Sequence, residues 1–131
     1  MPTPESQTST ALIIDDDPDT LQLLDEVLQE AGFATTCFFR GHPALMALVT
    51  HRFDVLVIDQ WLPDMNGLQI CEAARTYHGH DPVVLIITAD ARPERRVLAL
   101  QLCADDFISK PFDVEELIAR IEARLRRLPA T

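Results

Sequence analysis

The stretch FDVLVIDQWLPDMNG, residues 53–67, decides how the rest of the chain is read. Val55, Leu56, Val57 and Ile58 form an unbroken apolar run, rich in β-branched residues and far too short to span a membrane. Such a run reads as a strand buried on both faces, as in a parallel sheet. It stops at Asp59, and a turn-rich segment holding Pro63, Asp64, Asn66 and Gly67 follows. A carboxylate at the carboxyl end of a central parallel strand lies where open α/β sheets build their sites. A lone aspartate there would serve equally well as a helix cap, so the ends of the other strands decide between the two.

On the amino-terminal side, residues 11–14 make a short apolar strand that runs into Asp15, Asp16 and Asp17. Asp17 followed by Pro18 reads as the cap and first residue of a helix carrying Leu21, Leu24, Leu28 and Ala31, which Gly32 stops. Residues 33–38 form a second strand, and Gly41, His42 and Pro43 open a second helix. On the carboxyl side, Leu68, Ile70, Cys71 and Ala74 predict a third helix to about Tyr77. A second fully apolar strand, residues 83–87, ends at Thr88, Ala89 and Asp90, and Pro93 starts a fourth helix through Leu102. Phe107 and Ile108 belong to a fifth strand ending at Ser109, Lys110 and Pro111. The fifth helix starts at Asp113, with Glu116 as a capping-box partner and an inward stripe of Val114, Leu117, Ile121, Leu125 and Leu128. Five strands alternating with five helices predict an α/β fold, a doubly wound parallel sheet with helices on both faces. All carboxyl ends then gather on one edge.

That edge collects Asp15, Asp16, Asp59, Thr88 and Lys110. Three carboxylates about 5 Å apart repel by roughly 3 kcal/mol per pair at an effective dielectric of about 20. One lysine cannot offset three such pairs, so protons or a divalent cation must share the site. Oxygen ligands without His or Cys suit a hard ion such as Mg2+, which pairs with phosphate oxygens. The chemistry expected at the edge is therefore phosphoryl transfer.

Composition sets the outer bounds. At 131 residues and 47% apolar, the chain is one domain with a real core rather than a disordered segment. A formal charge of −10 argues against direct nucleic-acid binding, and no apolar run is long enough for a membrane. The arginines at Arg120, Arg124, Arg126 and Arg127 suit the end of a helix instead. The opening MPTPESQTST lacks the features of a signal peptide and is expected to fray. Cys37, Cys71 and Cys103, odd in number and widely spaced, are expected to be buried free thiols in a reducing cytoplasm.

The motifs LIIDDD, VLVIDQWLPDMNG, LIITA and DDFISKPF, in this order and spacing, resemble the receiver domain of two-component response regulators, the CheY-like family. The likeness covers residues 11–128, leaving 1–10 as an amino-terminal tail and 129–131 as a tail or the start of a linker. It implies strand order 2-1-3-4-5 and a signalling phosphoacceptor that catalyses its own phosphorylation and slow dephosphorylation. By resemblance, Asp59 accepts the phosphoryl group, while Asp15, Asp16, Asp59 and the backbone carbonyl of Trp61 hold Mg2+, with Mn2+ as the alternative. Lys110 binds the phosphoryl oxygens, Thr88 and Phe107 form the switch, and the Lys110–Pro111 bond is cis. The implied partners are a sensor histidine kinase or histidine phosphotransfer protein and a downstream output domain or protein.

The resemblance also allows a homodimer through the fourth helix, fifth strand and fifth helix. Arg96 with Glu116 and Asp106 with Arg120 would join such an interface, although Gln101 and Ala123 do not complete the set. By the same resemblance, Trp61 and Asp90 border the mouth of the site and are expected to slow dephosphorylation. Cys103 stands where the family usually has Gly, so either a strained angle or a different helix cap is expected. Trp61 in place of a second aspartate removes the general acid of a haloacid dehalogenase phosphatase, and an acidic edge would repel a flavin phosphate. An adaptor that binds partners without phosphorylation is the remaining alternative, which the intact acidic set disfavours.

Overall fold

The strands at residues 11–14, 55–58 and 83–87 of the computed structural model alternate their side chains between two apolar layers, which is why the runs show no polar face. The structure describes residues 8–90 and 92–126, so expectations for residues 1–7, Arg127, Leu128 and the last three residues lie outside it. The elements are β1 Thr10–Ile14, α1 Pro18–Glu30, β2 Ala34–Phe38, α2 Gly41–Thr50 and β3 Val55–Asp59. They continue as α3 Gly67–His78, β4 Val83–Thr88, α4 Pro93–Leu102, β5 Asp106–Ser109 and α5 Val114–Arg126. The five strands pair in parallel in the order β2-β1-β3-β4-β5. Leu12, Ile14, Leu56, Ile58, Val84 and Ile86 face one layer with residues of α2, α3 and α4. Ala11, Ile13, Val55, Val57, Leu85 and Ile87 face the other with α1 and α5. Burying a large aliphatic side chain contributes about 1.5–3 kcal/mol, so the central strands carry much of the stability.

Local sequence explains most boundaries. Asp17 caps α1 by backbone geometry, its carboxylate accepting from Thr20 Oγ1 at 2.6 Å rather than from the helix amides. Gly32 follows the helix end at φ 100°, the angle that favours glycine there. At α5, Asp113 Oδ1 accepts from the Glu115 amide, but Glu116 does not close the expected capping box; its carboxylate accepts from Arg120. The capping box occurs at α3 instead. Asn66 Oδ1 accepts from the Leu68 amide at 2.9 Å, and Gln69 Oε1 accepts from the Asn66 amide at 3.1 Å. Asp64, in the loop before α3, accepts from the Gly41 and His42 amides at 2.8 Å each and so moors the start of α2. The Lys110–Pro111 peptide is cis.

A second expectation is corrected. Cys71 of α3 and Cys103 at the end of α4 are not free thiols; they are joined as a disulfide, with Cα atoms 5.9 Å apart. Cys37 alone among the three is free. The pairing joins residues 32 apart in sequence and arises because α3 and α4 lie on the same face of the sheet. Cys103 is also unstrained. Its φ of −165° is extended backbone, so the end of α4 takes the different cap rather than the left-handed angle.

Candidate functional site

The strand ends bring four of the predicted residues into one cluster. Asp15 follows β1 directly, is fully buried, and has Oδ1 accepting from the Asp17 amide at 2.9 Å. Asp59 ends β3 at 5% exposure, with Oδ1 accepting from the Trp61 amide at 3.3 Å. Oxygens of Asp15, Asp16 and Asp59 all lie within 4.8 Å of one another, and Asp16 is the exposed member. Lys110, just beyond β5, sets its Nζ 3.0 Å from Asp15 Oδ2 and 3.5 Å from Asp59 Oδ2. Its own amide donates to the Thr88 carbonyl at 2.7 Å, so β4 fixes where that ammonium emerges. Gly67 lets α3 start directly under β3: a Cβ there would collide with the Asp59 carbonyl oxygen.

Electrostatics follow from this geometry. Burial, reinforced by the charge of Asp15 and only partly offset by Lys110 and the Trp61 amide, pushes the Asp59 carboxyl up to about 7. Burial acts against the Lys110 ammonium, yet Asp15 and Asp59 together hold it above the ordinary lysine value. The charge is still unbalanced, three carboxylates against one ammonium. Asp15 Oδ2 is buried and, despite Lys110 at ion-pair distance, has no donor aligned on it as a hydrogen bond. An orphaned buried carboxylate oxygen in an all-oxygen cluster fits a hard divalent cation.

Thr88 ends β4 beside Asp59, whose register partner is Ile87. Thr88 is fully buried, and its Oγ1 accepts from the Asp90 amide at 3.0 Å. Phe107 sits apart from the acids: it is buried in the layer under α3 and α4, with the Arg96 guanidinium 5.8 Å from its ring centre. Trp61 is 44% exposed at the mouth. Its ring lies 5.7 Å from the Arg95 guanidinium, and Arg95 Nε stands 3.7 Å from Asp90 Oδ2. Arg92 also binds Asp90 at 2.8 Å, and that hydrogen-bonded pairing holds the Asp90 carboxyl down at about 2. Sequence reasoning singled out Trp61 and Asp90 but missed Arg95, which links them from α4. Of the charge pairs considered for a dimer, Asp106 and Glu116 both bind Arg120 within the chain, at 2.8 Å each.

Comparison with known proteins agrees with this geometry. The profile of the Response regulator receiver domain family matches residues 11–122. The chain is 41% identical over 116 residues to the DNA-binding response regulator MtrA of Mycolicibacterium smegmatis, covering 88% of this chain and 50% of that protein. It is similar in structure to the Francisella response regulator 1452 receiver domain, with TM-score 0.84 and 31% identity, covering 91% of this chain and 98% of that one. It is also similar to the BeF3-activated receiver domain of DrrB from Thermotoga maritima, with TM-score 0.85 and 30% identity, covering 92% and 100%. The chain spans about half the length of the curated relatives it matches. Among the described residues, no helix is long and apolar enough to cross a membrane.

Proposed function

Because this chain belongs to the response regulator receiver domain family, we propose that Asp59 accepts a phosphoryl group from a phosphohistidine and thereby resets the face formed by α4, β5 and α5. One observation carries the reading: the Lys110 ammonium set between buried Asp15 and Asp59, in a cluster whose three carboxylates converge within 4.8 Å. An Asp59 oxygen attacks phosphorus, the O–P bond forms as the P–N bond to the donor imidazole breaks, and the imidazole leaves with the electron pair. Lys110 neutralises charge on the transferring oxygens from a fixed position. Asp15, Asp16, Asp59 and the Trp61 carbonyl would hold Mg2+, or Mn2+ in its place. When bound, the ion supplies Lewis-acid neutralisation of the phosphoryl oxygens.

The acyl phosphate adds about two negative charges beside Thr88. Thr88 Oγ1, which accepts from the Asp90 amide, turns its O–H to donate to the phosphate, the loop between β4 and α4 follows, and Phe107 repacks. Phe107 has no hydroxyl, so it acts through packing alone. Trp61 and Asp90, bridged by Arg95, narrow the approach of water and slow the loss of the phosphoryl group. The reading carries with it a cytoplasmic location, a sensor histidine kinase or histidine phosphotransfer protein as donor, and an output domain or protein that senses the α4-β5-α5 face. Self-association, if it follows activation, uses the same face. We assign no nucleic-acid contact to a domain of formal charge −10.

Acetyl phosphate, or beryllofluoride with Mg2+, tests the reading directly. Trp61 is the single tryptophan and stands two residues from the acceptor, so its fluorescence should change on addition and Asp59→Asn should abolish the change. An unaltered spectrum, with no phosphoprotein by mass, would favour a phosphorylation-independent adaptor.

A further inference from the structure

The disulfide between Cys71 and Cys103 has no part in phosphoryl chemistry, yet it sits at the end of the most lightly seated helix. Among residues of α4 whose burial is described, Ala99 alone is fully buried, while Val97, Leu98 and Leu100 are exposed. The start of the helix has no side-chain cap. Its far end is fastened firmly to α3. Arg75 donates from Nε to the Cys103 carbonyl at 2.9 Å and pairs with Asp105 at 2.8 Å, and Cys71 reaches Cys103 across the same junction. The α3 side of the tether is rigid, since Leu68, Ile70, Cys71 and Ala74 are all buried.

We propose that Cys71 and Cys103 form a reversible redox site that locks the carboxyl end of α4 to α3 when oxidised and, when reduced, loosens it to the hold of Arg75 alone. The oxidant class is a hydroperoxide. Cys103 keeps 8% exposure where Cys71 has none, so Cys103 is the thiol that reacts first. Its thiolate takes the terminal peroxide oxygen, breaking the O–O bond and leaving a sulfenic acid and an alkoxide, which is hydroxide when the oxidant is hydrogen peroxide. The Cys71 thiol sulfur then attacks the sulfenic sulfur; the S–S bond forms, the S–O bond breaks, and the hydroxyl leaves with the thiol proton as water. Two electrons pass from the thiol pair to the peroxide. A dithiol reverses the change by exchange through a mixed disulfide. The Cα separation of 5.9 Å lies inside the range a disulfide spans, about 4.4–6.8 Å, so the backbone need not move to close it.

The effect on signalling rests on the proposed function: a pinned α4 would respond less to the acyl phosphate. The thiol chemistry does not rest on it.

The experiment uses the full chain in a Cys37→Ser background, which removes the third thiol. Hydrogen peroxide should lower the mass by two hydrogens within one chain and leave no thiol to label after denaturation; a dithiol should restore both thiols. Amides of residues 97–103 should exchange roughly tenfold more slowly in the oxidised form. The Tm should rise by roughly 10 °C for a loop of 32 residues. Cys71→Ser, with Cys71→Ala as a second variant, should erase both differences. Two labelable thiols after peroxide, or a disulfide that leaves α4 exchange unchanged, would overturn the proposal. A protein that locks as described but does not respond to beryllofluoride would sink the phosphoryl reading and leave the lock standing.

Discussion

Replacing Asp59 by Asn should stabilise the metal-free domain at pH 8 and do far less at pH 5. The native carboxyl titrates at about 7 against 3.8 for an ordinary aspartate, because burial and Asp15 oppose its charge. Between those two values the folded state keeps a proton that the unfolded chain has lost, so stability falls as pH rises from about 4 to about 7. The full penalty is on the order of 4 kcal/mol, of which about 2–3 kcal/mol accrues between pH 5 and pH 8. For a domain of this size about 3 °C accompanies each kcal/mol, so the gap between variant and wild type should widen by roughly 8 °C over that interval. Asp17, Asp25, Asp64 and Asp90, whose pKa values are lowered, titrate in both proteins and cancel in the comparison. Scanning calorimetry in EDTA across the pH range measures the gap. Saturating Mg2+ should then raise the wild-type Tm and close most of it, as binding to the native state alone requires. A difference that stays constant with pH, or a wild type more stable at pH 8 without the ion, would refute the reasoning.

Trp61→Ala should shorten the lifetime of the phosphoryl group by several fold, and Arg95→Ala should reproduce part of that loss; radiolabel decay after acetyl phosphate treatment measures both. Added to Trp61→Ala, the Arg95 change should have no further effect, since the two groups act as one bridge. Gly67→Ala should destabilise the domain by about 1–3 kcal/mol through overpacking against the Asp59 carbonyl and weaken Mg2+ binding, read by urea denaturation and calorimetric titration. Asp105→Ala should cost about 2–3 kcal/mol, because Asp105 Oδ2 accepts from both the Val84 amide and Arg75, and its loss leaves a buried donor unmade. An Asp105→Ala protein as stable as wild type would show that water replaces the carboxylate.

Much of the fold could be read because buried parallel strands leave a plain trace: apolar runs at residues 55–58 and 83–87, each ending in a polar residue. Since every strand points the same way, reading strand ends amounted to reading the site, and Asp15, Asp16, Asp59 and Lys110 do meet. Features that depend on two elements being neighbours were not legible. Cys71 and Cys103 are 32 residues apart, and their pairing follows only from the packing of α3 beside α4. Arg95 was invisible for the same reason, since nothing local says that a fourth-helix arginine will cover Trp61. Glu116 shows a local rule losing to a tertiary partner: the spacing favours a capping box, but Arg120 also holds Asp106 and draws the carboxylate away.

Asp64 has a consequence for direction. By gripping two amides of α2, it gives the loop after Asp59 a stiff abutment on that flank. On the opposite flank Trp61 of the loop meets Arg95 of α4, a helix with one fully buried residue among those described. A load introduced at Asp59 therefore finds one unyielding support and one compliant support. Under the proposed function, displacement should run towards α4, so that the geometry of the anchorage, rather than the chemistry at phosphorus, would select which side of the molecule carries the message.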